Sequence, residues 1–356
     1  MGQSPDGDSY NTTGKGVPLI NGPVEFSEHS FGKTIRTKFT TQPTKFCKEG
    51  DLILCVRGST TGRMNIAGFD ACVGRGVAAI RAKQYQPWIN HFIGGIRDEI
   101  HGKGTGATFP NVSGDTLANL RLVFPPLPEQ QRIVGILDEA FDGIATARAN
   151  AEKNLQNARA LFESHLNSVF AQRGPGWVEK RLESCCEEIF AGGDVPKARV
   201  SQERTPKYSI PIFSNGAKDD GLYGFTDVAR VTKPSITVSA RGTLGFSAIR
   251  TEPFLPVVRL IVLIPNEKLI DLSFLYYMVL GMDFGNTGTS IPQLTVPNFK
   301  GCKLHLPPLS LQKAIVEKLD ALRVETQRLE SIYQQQLAAL EELKKSLLDQ
   351  AFSGAL

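Results

Sequence analysis

Metal-assisted hydrolysis of a phosphodiester needs clustered carboxylates with a nearby lysine. Two stretches offer that composition: Asp6 and Asp8 with Lys15, and Asp219-Asp220 beside Lys218. Pro5-Asp-Gly-Asp8 is turn chemistry, and the second stretch reads the same way, so neither is taken as a metal site. Methyl transfer to a base amino group needs a polar residue, two prolines and an aromatic on one loop to hold the flipped base. Phe124-Pro-Pro-Leu127 and Leu306-Pro-Pro-Leu309 keep the prolines and lack the other two groups, so they read as punctuation before helices. Gly14-Lys-Gly16 and Gly104-Thr-Gly106 run into Pro18 and Pro110 rather than into helices, and no G-x-x-x-x-G-K-[ST] loop occurs. The five histidines are scattered singly. Cys47, Cys55, Cys72, Cys185, Cys186 and Cys302 form no C-x-x-C pair and read as reduced thiols. The expectation is a non-enzymatic chain with no cofactor and no metal.

Recognition chemistry remains. Arg and Lys suit guanine edges, Asn and Gln suit adenine, and Ser, Thr and backbone amides hold phosphate. Loop positions of these types in the first half are Gln3, Ser4, Tyr10, Asn21, Arg57, Ser59, Lys103 and Thr105. In the second half they are Lys197, Ser214, Asn215, Lys218, Tyr223, Arg241, Thr243 and Thr287. The net charge is only +4, but its distribution is uneven. Residues 1–119 carry 13 basic and 10 acidic side chains, and residues 173–301 carry 15 and 13. The stretches 120–172 and 302–356 carry no net positive charge. The positive excess thus lies where phosphate contacts would be made.

These positions are mounted on a repeat. Leu122-Val-Phe-Pro-Pro-Leu-Pro-Glu-Gln130 matches Leu304-His-Leu-Pro-Pro-Leu-Ser-Leu-Gln312 at an offset of 182. At that offset Ile133, Val134, Leu137 and Asp138 meet Ile315, Val316, Leu319 and Asp320, and Leu155, Leu161, Leu166 and Phe170 meet Leu337, Leu343, Leu348 and Phe352. Upstream, Thr105-Gly106 and Pro110 meet Thr287-Gly288 and Pro292. Earlier matches drift slightly, as in Arg57-Gly-Ser-Thr against Arg241-Gly-Thr, and Leu19-Ile-Asn-Gly22 against Ile212-Phe-Ser-Asn-Gly216. Gly2 aligns with Gly192, so the first repeat lacks about fifteen residues equivalent to 177–191. Its globule is expected to be less complete and less stable than the second.

Each repeat opens with Gly-rich sequence around short apolar runs, Asp51–Val56 and Ser235–Ser239, which predict buried strands between turns. An extended strand ending at Pro-Pro follows, because a residue before proline is pushed out of the helical region. Uninterrupted helices are then predicted over 129–171 and 311–353. The second shows 3-4 spacing through Ile315, Leu319, Leu322, Thr326, Leu329, Tyr333, Gln336, Leu340, Leu343 and Leu347. The first, in the same register, is small-residue rich: Ile133, Leu137, Ala140, Ile144, Ala147, Ala151, Asn154, Ala158, Leu161 and His165. The two seams suit one another better than themselves. An antiparallel pairing would hold the globules apart. Phe162, Val169, Leu337 and Leu348 fall off the seam and predict cover by partner subunits.

A hydrophobic fraction of 41% excludes dominant disorder, and no apolar run approaches the roughly 18 residues of a membrane span. Met1-Gly-Gln-Ser-Pro-Asp-Gly7 has no signal-peptide character, so a cytoplasmic chain is expected. The fold class read from these features is α+β: two globular domains alternating with two long helices that pair as an antiparallel coiled coil. The boundaries are 1–119, 120–172, 173–301 and 302–356.

The globule–helix–globule–helix layout resembles the specificity subunit of type I restriction–modification systems. Phe124-Pro-Pro-Leu-Pro-Glu-Gln-Gln-Arg-Ile-Val134, Leu306-Pro-Pro-Leu-Ser-Leu-Gln-Lys-Ala-Ile-Val316, Trp177-Val-Glu-Lys-Arg-Leu182, Asp349-Gln-Ala-Phe-Ser-Gly354 and the Arg-Gly-[Ser/Thr] turns carry the resemblance. It implies two target recognition domains, each reading half of a split sequence in double-stranded DNA. It also implies spacer helices that dock two methyltransferase subunits and, through them, restriction subunits. No membrane partner is implied. The rival reading is a coiled-coil adaptor whose globules bind protein or glycan.

Overall fold

The computed structural model describes residues 1–29, 31–104, 111–171, 174–196, 198–282 and 294–356. Two helices of 45 residues organise it, Leu127–Ala171 (α4) and Leu309–Ser353 (α8). Gly135 and Gly143 are tolerated inside α4 because its other positions are good helix formers. Gly354, with φ of +82°, closes α8 in the left-handed conformation that glycine adopts without strain. The chain divides into two compact units, Met1–Glu152 with Gln335–Leu356 (unit 1) and Lys153–Gln334 (unit 2). The division falls inside both long helices, so each unit owns one globule and a part of each helix.

In unit 1 the strands Tyr10–Asn11 (β1), Val17–Ile20 (β2), Phe39–Thr40 (β3), Phe46–Cys47 (β4) and Ala71–Val73 (β7) form a sheet ordered β1-β3-β2-β7-β4. Leu52–Cys55 (β5), Met64–Ile66 (β6) and Val77–Ile80 (β8) form a second, ordered β6-β5-β8. Every residue of β5 is buried, as its unbroken apolar run requires. Short helices Gln86–Gly95 (α1), Arg97–Gly102 (α2) and Gly114–Ala118 (α3) follow. The core brings Leu52, Leu54, Trp88 and Phe92 onto Ile133, Val134 and Leu137 from the start of α4 and Ala351 from the end of α8. The two helices are therefore antiparallel here.

In unit 2, Val178–Arg181 (β9), the short helix Leu182–Cys185 (α5) and Cys186–Ala191 (β10) open the globule. Ile210–Phe213 (β11), Leu222–Thr226 (β12), Ser235–Val238 (β13), Ser247–Arg250 (β14), Leu255–Pro256 (β15) and Ile261–Pro265 (β16) follow. Then come Leu272–Leu280 (α6), Val296–Gly301 (α7) and Lys303–Leu306 (β17). The sheets are ordered β10-β16-β13-β14, β12-β11-β15 and β17-β9. The core packs Phe274, Tyr277 and Leu319 with Leu166, Phe162, Val169 and Phe170 from the end of α4. Again the helices run antiparallel.

The same joint recurs in both units. Gly95 of α1 lies 3.4 Å, measured from an added Cβ, from Leu348; Gly281, just past α6, lies 3.6 Å from Leu166. Trp88 packs at a tilt against Phe352 with centroids 4.8 Å apart, and Phe274 meets Phe170 at 5.4 Å. Leu166 and Phe170 match Leu348 and Phe352 at the offset of 182. Each globule thus grips its own following helix and the far end of the other, and the Asp349–Gly354 ending belongs to the grip on unit 1.

Three expectations need correction. Leu161 and Leu343 are exposed (51% and 48%), as is His165, and the buried stripe moves to Phe162 and Leu166. A 3.6-residue helix drifts against a strict heptad, and α6 supplies apolar surface to the side it drifts toward. Phe162, Val169 and Leu348 therefore need no partner subunit to cover them, since the globules do so. Finally, 303–306 is a strand before Pro-Pro but 121–124 is not. β17 pairs with β9, and among the described residues of unit 1 no strand stands in the place of β9.

Candidate nucleic-acid interface

In unit 1 hydrogen bonds gather Gln3, Ser4, Asn21 and the turn of Arg57 and Ser59 around residues 73–76. Gln3 N–H donates to Val73 O (2.9 Å), which lays residues 3–4 along β7. Ser4 Oγ donates to Asn21 Oδ1 (3.4 Å) and accepts the Arg75 N–H (3.1 Å). Val56 N–H donates to Gly76 O (2.9 Å), so the turn carrying exposed Arg57 and Ser59 starts beside the Arg75 turn. Tyr10 sits on β1 with its hydroxyl on Pro5 O (3.2 Å) and Lys38 Nζ 5.7 Å from its ring centroid.

Unit 2 repeats this geometry with different side chains. Asn215 Nδ2 donates to Val258 O and its Oδ1 accepts the Ala240 N–H (2.7 Å), tying three loops together. Ser214 N–H donates to Gly221 O (2.9 Å), which closes the turn holding exposed Lys218. Asp219 and Asp220 lie in the left-handed region (φ 48° and 57°), and Arg250 clamps Asp220 through its carboxylate and its carbonyl. Arg250 also stacks 3.6 Å from the Phe213 centroid, and its burial pushes its pKa down against the pull of Asp220. The acidic pair is therefore turn structure. Asp6 likewise accepts the Asp8 N–H (3.1 Å) as a turn cap. Exposed Arg241 and Thr243 occupy the turn after β13, next to the Asn215 tie, and Tyr223 is exposed on β12.

Lys103 stands apart at the end of α2, paired with Glu99 Oε1 at 2.5 Å. Thr105, Lys197 and Thr287 lie outside the described residues, as do the repeat matches at 105–110 and 287–292. Burial pushes the Cys47 and Cys55 thiols up to about 11 and Cys186 to about 12, so they are poor nucleophiles at neutral pH. No cluster of three or more metal-ligating side chains occurs among the described residues.

Sequence reasoning passed over one residue at the centre of each arrangement. Arg75 and Arg259 both stand exposed on the turn joining β7 to β8 and β15 to β16. Neither makes an ion pair among the described residues. Arg259 holds a φ of +66° and Val258 of +53°, a conformation unfavourable for side chains with a Cβ, so the turn carries local strain. The signal was present: Val73-Gly-Arg-Gly-Val-Ala-Ala-Ile80 matches Val257-Val-Arg-Leu-Ile-Val-Leu-Ile264 at an offset of 184, with the arginines aligned.

The family model for the type I restriction modification DNA specificity domain matches this chain twice, over residues 2–155 and 175–339. The chain belongs to that family. A Mycoplasma pneumoniae protein named as a type I specificity subunit is 29% identical over 256 residues, covering 71% of this chain and 69% of its own length. A second from the same organism is 32% identical over 233 residues, covering 61% and 68%. A chain from a solved type I R-M system complex superposes with a TM-score of 0.83 at 20% identity, over 96% of this chain and 92% of that one. The HsdS subunit from Thermoanaerobacter tengcongensis superposes at 0.63, also at 20% identity, over 96% and 91%. At that identity the likeness shows the fold, which is the α+β layout with two globules and long helices. Family membership makes the chain a DNA specificity protein, non-catalytic as its family is, and does not favour the adaptor reading. No helix among the described residues is long and apolar enough to cross a membrane.

Proposed function

We propose that each globule reads one half of a bipartite duplex target, and that the chain lends this specificity to methyltransferase and restriction subunits that hold the chemistry. The observation that carries the reading is the duplicated loop cluster: Ser4, Asn21, Arg57 and Arg75 in unit 1, and Asn215, Lys218, Arg241 and Arg259 in unit 2. Equivalent backbones with different side chains suit two readers of different bases on a shared way of gripping phosphate. We assign Arg75 and Arg259 to the shared grip, and Gln3, Tyr10, Ser59, Ser214, Tyr223 and Thr243 to readout or support beside it. Two equivalent joints between globule and helix support two methyltransferase subunits per chain.

Mobility shifts on duplex DNA with the partner methyltransferase, at graded salt, test the reading together with mapping of methylated bases in cells. Salt-dependent, sequence-selective binding to a split site is expected. Binding without sequence preference under every condition overturns it. Light scattering of the complex should give two methyltransferase subunits to one chain. Four residues inserted after Leu155 and four after Leu337 add about 6 Å to each helix at about 1.5 Å per residue. The gap between half-sites should grow by about one or two base pairs, at about 3.4 Å each, with both half-sites unchanged. An unchanged gap rules out the helices as the ruler.

A further inference from the structure

Among the described residues, the side chains with a Cβ at positive φ are those of Asp219, Asp220, Val258 and Arg259, and of these only Val258 is β-branched. Aspartate tolerates the left-handed region through local hydrogen bonding, whereas a β-branched residue is an outlier there. Val258 (φ 53°) and Arg259 (φ 66°) are the central residues of the turn 257–260, which Leu260 N–H closes on Val257 O (3.1 Å). A turn with both central residues left-handed ordinarily takes Asn-Gly. The connection does not demand that shape. The matching turn of unit 1, closed by Val77 N–H on Gly74 O (3.2 Å), has no residue at positive φ. A fold that only had to reverse the chain would do better with asparagine or glycine at 258.

Hydrogen bonds from three sides hold the turn against that preference. Val257 N–H donates to Phe213 O (2.9 Å), Val258 N–H to Gly193 O (2.8 Å) and Arg259 N–H to Gly192 O (3.2 Å), while Val258 O accepts from Asn215 Nδ2. Both backbone polar groups of Val258 are thus satisfied within the protein. Val257 is fully buried, and Val258 stands 45% exposed. What the tip presents outward is an isopropyl group, stiff at χ1, next to the exposed guanidinium of Arg259. Through Asn215, which also accepts the Ala240 N–H, the tip is tied to the turn carrying exposed Arg241 and Thr243.

An apolar group set among polar and cationic loops needs an apolar counterpart on what it binds. In the major groove of a duplex, the apolar group at the base edges is the C5-methyl of thymine. Wedging between stacked bases is the work of longer side chains such as Phe, Leu, Ile and Met. On the reading that unit 2 recognises one half-site, we propose that Val258 is a specificity-determining residue that reads a thymine by packing on its 5-methyl group. Arg259 fixes the tip on the adjacent phosphate, and the strained turn is kept because it places the isopropyl group outward at a set height.

The test uses the full chain with its methyltransferase subunits and duplexes carrying the mapped split site, each thymine replaced in turn by deoxyuridine, which lacks only the methyl. The unaltered chain should lose about threefold to tenfold in affinity at one thymine, the worth of one buried methyl contact. Val258→Gly should lose about the same factor on the unmodified duplex and no longer distinguish thymine from uracil at that position, with the other half-site read as before. Glycine adopts positive φ without strain, so this variant should unfold at the temperature of the unaltered chain or above it, which separates lost reading from lost folding. Selective binding that no uracil weakens overturns the assignment of Val258 and leaves the two-reader function standing. A Val258→Gly chain that still senses the methyl does the same. Binding of the unaltered chain without sequence preference removes both.

Discussion

Asp138 and Asp320 occupy the same position of the repeat, and each reaches from the start of its long helix to a helix that follows the sheets of its globule, α1 or α6. In unit 1 the acceptor meets His91 Nε2 at 2.8 Å; in unit 2 it meets the Tyr277 hydroxyl. Gln130 and Gln312 form a second such pair. Both donate to the carbonyl two residues before the helix starts, Pro125 O and Pro307 O, each at 2.8 Å. Gln312 goes further, donating to Leu269 O (3.0 Å) and accepting the Asp271 N–H (2.8 Å), which fixes the start of α6. Gln130 Oε1 is buried with no partner among the described residues, and α1 is preceded by Tyr85 with no side-chain cap. The duplicated joint has kept its backbone and aromatic packing while its polar chemistry diverged. Unit 2 is closed by β9, α5 and β10 and fully stitched; unit 1 has an open sheet edge and a looser stitch.

The sharpest break in this contrast is to open unit 2. Leu182 is fully buried, so Leu182→Ala should cost about 2–5 kcal/mol and expose β16 to exchange. A loss below about 1 kcal/mol, little more than a surface substitution costs, would mean that the capping segment is ornament. Next in size is the glutamine pair. Gln312→Ala strands the Asp271 N–H and Leu269 O and should cost about 2 kcal/mol, whereas Gln130→Ala should cost less than about 1 kcal/mol. Hydrogen exchange read separately at α6 and α1 gives the two values, and equal losses would erase the difference in stitching.

The smallest effect is one of pH. Burial lowers the His91 pKa, with Lys344 adding to it and the Asp138 hydrogen bond opposing it. Below the ordinary imidazole value of 6.5 the unfolded chain takes up a proton that folded His91 resists. Stability of unit 1 should therefore fall as pH drops from about 7 to 5. Tyr277 is pushed up to about 12, chiefly by burial, and stays a neutral donor across that window. His91→Gln should flatten the slope at α1, and a matching slope at α6 would remove His91 as its cause.

Strands β5 and β13, the Pro-Pro stops and both long helices were legible because each depends on local pattern: a buried apolar run, a φ restriction, a 3-4 repeat without breakers. The offset of 182 gave the duplication, and its drift to the match of Gly2 with Gly192 gave the place where the repeats diverge. A nearby offset of 184 held Arg75 and Arg259, which shorter motifs hid because an arginine flanked by Gly74 and Gly76 has little in common locally with one flanked by Val258 and Leu260. Of the candidate contacts, Ser4 and Asn21 were brought together by a hydrogen bond across 17 residues, a closure that composition alone does not encode.

What the sequence determined by itself was therefore the duplication, the element types and the family. Tertiary structure decided which side chains meet. The stripe on α4 shifted from Leu161 and His165 to Phe162 and Leu166 because α6 offered Phe274 and Tyr277 on that side. Residues 121–124 stayed out of a sheet because a strand exists only when another supplies its hydrogen bonds, and the described residues of unit 1 supply none at that position.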